Sequence, residues 1–207
     1  MPQEIILLTG DIEGPHLAAE LSAHNPLLHV NHVDGADTLR DALDMTGGSG
    51  ANAGRRLVAF CTGVVVPADA LAALPGPAYN FHPGPPTYPG SWAAGFALYD
   101  GTTRFGATLH VMEEKVDEGA IVEVDWFDFP ADARLRYDEL EVMAYQRCVG
   151  LFRKYASHLA SDDAPLPLSG ERWSGVKRSK AQATAMREPP RDATEDEIRR
   201  RFRAFGG

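Results

Sequence analysis

Short apolar runs set between helical stretches constrain this chain more than any other feature. Glu4-Ile5-Ile6-Leu7-Leu8, closed by Thr9-Gly10, reads as a first buried strand. Leu27–Val30, Leu57–Phe60 and Ala78–His82 read as three more. Between them, Leu17–Leu21 and Ala36–Met45 carry helical spacing, and Pro67 suits the first position of a short helix running to Leu74. This alternation specifies an α/β chain with a doubly wound, mostly parallel sheet. In such sheets ligands bind in the crevice beyond the carboxyl ends of strands. Asn80 and His82 fall at one of those ends.

The second half continues with a helix over Ser91–Tyr99 and two longer strands, Arg104–Met112 and Ala120–Phe129, joined by a polar loop that carries Asp117. The longest helix spans Leu135–Leu159, where Leu140, Ala144, Cys148, Leu151, Tyr155 and Leu159 repeat at three-and-four spacing to form one buried face, widened by Met143 and Phe152. From Ser161 the chain turns loop-like, with Trp173 as the anchor of this extension. Thr194-Glu195-Asp196-Glu197 fits a capping box, and Ile198, Phe202 and Phe205 predict one apolar face of a final helix. The division expected is residues 1–160 as one domain and 161–207 as a C-terminal extension.

Composition excludes some classes. At 207 residues with 44% hydrophobic and 24% charged, the chain can bury an ordinary globular core. No run of about 18 apolar residues exists, so no membrane partner is expected. The N-terminus lacks signal-peptide order. Cys61 and Cys148 match no metal spacing and read as buried, reduced thiols of a cytoplasmic protein. The net charge of −9 is uneven: from Glu171 onward ten Lys/Arg face six Asp/Glu, leaving −13 on the first 170 residues. So acidic a body is a poor platform for nucleic acid. The basic tail either meets an anionic ligand or is a solvated face balancing the body.

The chemistry concentrates in Tyr79-Asn80-Phe81-His82-Pro83-Gly84-Pro85-Pro86-Thr87-Tyr88-Pro89-Gly90. Asn80 and His82, two apart on a strand, point to the same face. The Pro/Gly run then ends the strand in a loop, where α/β enzymes keep reactive groups. Taken alone, these two residues fit a catalytic pair and also a capping Asn with a satisfied His at a turn. The Gly47–Gly54 loop superficially suggests phosphate binding, but no Gly-Lys-Ser/Thr follows and Arg55-Arg56 enter a strand.

Asn80-Phe81-His82-Pro83, Pro86, Gly90, Gly101, Gly106-Ala107-Thr108-Leu109-His110 and Asp117-Glu118-Gly119-Ala120-Ile121 together resemble the catalytic domain of folate-dependent formyltransferases. The ending Ile198–Phe205 resembles that of the sugar and methionyl-tRNA members, and Phe60–Pro67 resembles the stretch lining the pterin pocket. The resemblance implies a Rossmann-like formyltransferase fold and 10-formyltetrahydrofolate as co-substrate, with no metal. It implies catalytic Asn80, His82 and Asp117, with the amide and imidazole donating to the oxyanion formed at the formyl carbon. Asp117 is expected to raise the His82 pKa, hold its tautomer and help pass a proton; His110 supports. In the family the pterin is bound by backbone groups of two loops, and these carry over to the backbone of Gly63, Val64, Val65, Lys115, Val116 and Asp117.

Departures from the family narrow the acceptor. Where its loop reads His-Pro-Ser-Leu-Leu-Pro, this chain has His82-Pro83-Gly84-Pro85-Pro86, a form that resembles the formyltransferase-like module of a hydrogenase-maturation protein. Gly10-Asp11-Ile12-Glu13-Gly14 places carboxylates where glycinamide ribonucleotide members bind phosphate, which disfavours that substrate. Members acting on methionyl-tRNA add a C-terminal barrel, so a tRNA acceptor is not expected. The expected partner is a small-molecule amine, first an amino sugar nucleotide, met by the loops Asp11–Pro15 and Tyr88–Trp92. A hydrolase of the same co-substrate and a non-catalytic folate-binding or maturation protein are the alternatives. The oligomeric state stays open, a homodimer included.

Overall fold

A computed structural model describes residues 1–43 and 52–206. Its centre is a six-stranded sheet in the order β2-β1-β3-β4-β5-β6. The strands are β1 (Glu4–Leu8), β2 (His29–Val33), β3 (Arg55–Phe60), β4 (Tyr79–His82), β5 (Arg104–Val111) and β6 (Ile121–Asp128). The first four are mutually parallel, and β5 and β6 add antiparallel at one edge. Central β1 and β3 are apolar on both faces because helices cover both, as the sequence predicts.

The helices are α1 (Gly14–His24), α2 (Ala36–Ala42), α3 (Ala68–Ala72), α4 (Ala93–Asp100), α5 (Tyr137–Ser161), α6 (Lys180–Met186) and α7 (Glu195–Phe205). One core joins α1 and α5 to the sheet around Phe60, Tyr79, Phe81 and Phe152; another joins α4, α5 and α7 around Phe96, Phe105 and Phe205. The predicted face of α5 is buried at Leu140, Ala144, Cys148, Leu151, Phe152 and Leu159, whereas Tyr155 is half-buried and its hydroxyl donates to Glu123. Among the described residues, no helix is long and apolar enough to cross a membrane.

Several boundaries differ from the sequence reading. The second strand lies two residues later, because Asn25 builds a turn: its Oδ1 accepts from Leu27 N at 3.1 Å and its amide donates to Ala160 O at 2.9 Å. Leu27 is 92% exposed. As an edge strand, β2 needs no continuous apolar run. Pro67 is the N-cap of α3 rather than its first residue. Met45 and Gly47–Ala51 lie outside the described residues, as does most of the glycine loop.

At the C-terminus, Thr194 Oγ1 accepts from Glu197 N at 3.2 Å, but the Glu197 carboxylate does not close the box; it accepts from Tyr99 OH at 2.8 Å and pairs with Arg201. The helix is rotated accordingly. Its inner face is Glu197, Arg201, Ala204 and Phe205, while Ile198 and Phe202 face solvent.

Candidate active site

The site lies on the face of β4 and β5, and not solely beyond the strand ends. Asn80 and His110 are register partners across these antiparallel strands, and His82, the last residue of β4, lies opposite Thr108. Cross-strand partners project to one face. The Gly-x-Thr-x-His stretch therefore has local work. Thr108 Oγ1 donates to Gly84 O at 2.7 Å, pinning the turn after His82. His110 Nδ1 stands 2.8 Å from Val111 O, so it carries the proton there, and Nε2 accepts from Asn80 Nδ2 at 3.1 Å. His110 thereby sets the Asn80 amide with nitrogen toward the ring.

Asp117 comes from the loop after β5, in a left-handed backbone conformation with φ of +53°. Its Oδ2 accepts from Gly90 N at 2.7 Å and lies 3.7 Å from His82 Nδ1; its Oδ1 lies 3.4 Å from His110 Nε2. Three residues named from the sequence thus converge. Burial pushes the Asp117 carboxyl pKa up, but the His82 and His110 imidazoles in their charged forms, together with the Gly90 N–H, outweigh it and hold it well below the usual carboxylate range. For His82 the expectation reverses. Burial lowers the pKa, Asp117 offsets only part of that, and His110 lowers it further. The ring lies too deep for one carboxylate at 3.7 Å to win.

A cleft of about 630 Å³ opens on this cluster. Gly63, Val64, Val65, Val116 and Asp117 line it; the Lys115 side chain is 75% exposed and pairs outward with Glu118, which does not bear on the expected contact through its backbone. Cys61, Trp92 and Asp117, the non-glycine residues with positive φ among those described, all face this cleft. Such strain collects at functional sites. Cys61, expected to be buried, is half-exposed here, while Cys148 is buried. Asn80 Oδ1, His82 Nε2 and Asp117 Oδ1 are buried without a hydrogen-bond partner among the described residues. Unpaired buried polar atoms are costly, and three around one cleft mark where a ligand's polar groups belong.

Sequence reasoning missed part of the wall. Lys177, Arg178 and Lys180 of the extension line the cleft, as do Tyr137 and Glu141 of α5. The surplus of basic residues after Glu171 was the available signal. The two expected acceptor loops part company. Gly90, Ser91 and Trp92 line the cleft, whereas Ile12 and Glu13 line a separate cavity of about 190 Å³. The turn Gly14 N to Gly10 O starts α1 at once and keeps that loop short.

Residues 50–135 match the family model described as formyl transferase. The chain's fold is similar to that of a sugar N-formyltransferase from a Shewanella species, at 16% identity and TM-score 0.76, covering 98% of this chain and 87% of that one. It is also similar to the N-formyltransferase from Helicobacter canadensis solved with folinic acid and dTDP-3-aminofucose, at 15% identity and TM-score 0.68, covering 99% and 81%. A third similarity is to HypX from Aquifex aeolicus in complex with tetrahydrofolic acid, at 17% identity and TM-score 0.56, covering 97% of this chain and 34% of that one. No curated protein sequence matches the chain. The chain thus carries a formyl transferase segment over residues 50–135 and a fold similar to that of sugar N-formyltransferases, in line with the resemblance.

Proposed function

We propose that this protein transfers a formyl group from 10-formyltetrahydrofolate to the amine of a small molecule. The observation that carries the reading is the convergence of Asn80, His82 and Asp117, with buried unpartnered atoms, on one cleft. The apolar wall of Gly63–Val66, Met112 and Val116 suits a flat heterocycle, and its exposed loop backbone suits hydrogen bonding to it. The Helicobacter relative's folinic acid and the HypX tetrahydrofolic acid support a folate here.

The acceptor amine attacks the formyl carbon, and negative charge gathers on the formyl oxygen. Asn80 Nδ2, set by His110, donates to that oxygen. His82 enters neutral, since burial lowers its pKa. With Nδ1 toward a carboxylate, its proton belongs on Nδ1 and Nε2 presents a lone pair. Nε2 takes the amine proton, and Asp117 stabilises the imidazolium that results. The bond from the formyl carbon to the folate nitrogen then breaks, and the proton passes to that nitrogen.

For the acceptor, Lys177, Arg178 and Lys180 on the cleft wall favour an anionic molecule, and an amino sugar nucleotide fits that charge. The Helicobacter relative's dTDP-3-aminofucose supports the same choice. Steady-state assay with 10-formyltetrahydrofolate and a panel of amino sugar nucleotides tests this. Tetrahydrofolate release that requires the amine is expected. Release at the same rate without any amine would make the protein a hydrolase, and binding without release would make it a folate-binding protein.

A further inference from the structure

The extension that follows α5 crosses the site as a strap. Ser174 N and Gly175 N donate to Pro86 O at 3.1 and 3.2 Å, Arg178 N donates to Pro89 O at 3.0 Å, and Ser91 N donates to Arg178 O at 2.9 Å. The strap is thus stitched along the loop that carries Gly90. At its start, the Trp173 indole meets both imidazoles edge-on, with centroids 6.0 Å from His82 and 5.1 Å from His110, at 67° and 89°. Its Nε1–H donates to Gly119 O at 2.8 Å, two residues after Asp117. One side chain therefore touches both rings and tethers the loop bearing the carboxylate.

We propose that Trp173 is a positioning residue of the formyl-transfer site: it walls the two imidazoles from water on one side and holds the Asp117 loop against them. The proposal rests on the reading of His82 and Asp117 as catalytic. An indole offers His82 no charge, so its effect is exclusion of water and fixation of the ring. The charged and titratable groups around His82 are Asp117 from its loop and His110 from β5, with Lys177, Arg178, Lys180, Glu113, Glu141, Cys61 and Tyr137 on the walls of the same cleft. Removing the indole deletes none of these groups but frees the Asp117 loop from its Gly119 tether, so a variant that keeps an aromatic edge without the tether is needed to separate the wall from the hold on Asp117.

The full-length chain is compared as wild type, Trp173→Phe and Trp173→Ala, with His82 titrated by NMR and assigned by its loss in His82→Gln. In Trp173→Ala the His82 midpoint rises toward 6.5, the ordinary value. Its kcat falls roughly 10–10²-fold, with a smaller change in KM for 10-formyltetrahydrofolate. Trp173→Phe keeps the aromatic edge and restores the midpoint while losing the Gly119 tether. If Trp173→Ala does not fold, Trp173→Leu, which leaves the ring edges less covered, carries the same test. An unchanged His82 midpoint in a folded Trp173→Ala or Trp173→Leu protein overturns the proposal. The titration needs no substrate, so a missing transferase activity would overturn the functional reading and leave this one to its own result.

Discussion

Gly90 donates its backbone N–H to the Asp117 carboxylate at 2.7 Å, and it does so from a φ of +92°. A Cβ at this position would stand 2.1 Å from Arg178 O. Gly90→Ala therefore both strains the backbone and pushes the strap off the loop. Strain of this kind costs about 1–3 kcal/mol. We expect a lower Tm for Gly90→Ala and a loss of kcat beyond 10-fold, about what losing one good charge-assisted hydrogen bond implies. Wild-type kcat in this variant would show that the Gly90 bond does not matter to the reaction.

His82→Ala and Asp117→Ala should still bind folate, because the apolar wall and the loop backbone of Gly63–Val65 remain. Turnover should fall on the order of 10²–10⁴, the usual contribution of a positioned general base and its support. Isothermal titration with tetrahydrofolate, run beside the rate assay, separates the two effects. Wild-type rates in both variants would remove the assigned roles.

Acid should weaken the fold through the same pair. His82 has a folded pKa below its unfolded 6.5, so the unfolded chain binds more protons between those two values. Stability then falls as pH drops from 6.5 to the folded pKa and is not recovered below it. Asp117, depressed from 3.8, stabilises the fold above that value, and the contribution is lost as pH falls through its folded pKa. Tm measured against pH should therefore decline in two stages. His82→Gln should flatten the upper stage and, by removing the charge that most depresses Asp117, also shrink the decline below about pH 4. An upper stage of unchanged slope in His82→Gln would assign it to other groups.

Most of the sheet was legible because its strands are short apolar runs with clear stops, as at Glu4–Leu8. Edge strand β2 was misplaced because its polar His29, Asn31 and His32 satisfy no buried pattern. Helix α6 escaped notice although Ser179 and Gln182 form its capping box, since seven residues carry too little periodicity. The turning of α7 could not be read locally; Tyr99, nearly a hundred residues earlier, draws Glu197 inward. At the site, Asn80 and His82 were legible by spacing and Asp117 by resemblance. Lys115 carried over through its backbone, and the outward course of its side chain leaves that expectation as it was. Trp173 was seen as an anchor, but its contact with two imidazoles depends on a chain crossing that only the assembled fold reveals.

The terminal helix bears on the site through packing. Phe205 is fully buried, with its ring 5.1 Å from Phe96 and 6.0 Å from Tyr99 of α4, the helix that begins beside Trp92 on the cleft wall. Phe205→Ala should cost about 3–5 kcal/mol in urea unfolding. A cost below about 1 kcal/mol would mean that the end of α7 does not pack as described.

Gly84 stands where the sequence departs most from its resemblance, and the structure supplies a reason for glycine. A Cβ there would lie 2.6 Å from His82 Nε2 and 2.8 Å from the Ala93 Cβ. The His82 ring is held by Asp117 and Trp173, and the Thr108 bond to Gly84 O keeps the Gly84 backbone from backing away, so neither side yields cheaply. Gly84→Ser, which restores the residue of the more usual loop, should displace the imidazole and lower kcat about 10–10²-fold. Folate affinity should change little, because the substitution lies away from Gly63–Val65. Gly84→Ser combined with Ala93→Gly removes one of the two close contacts and should recover part of the lost rate. Full wild-type kcat in the single variant would show that the imidazole has room this packing denies it.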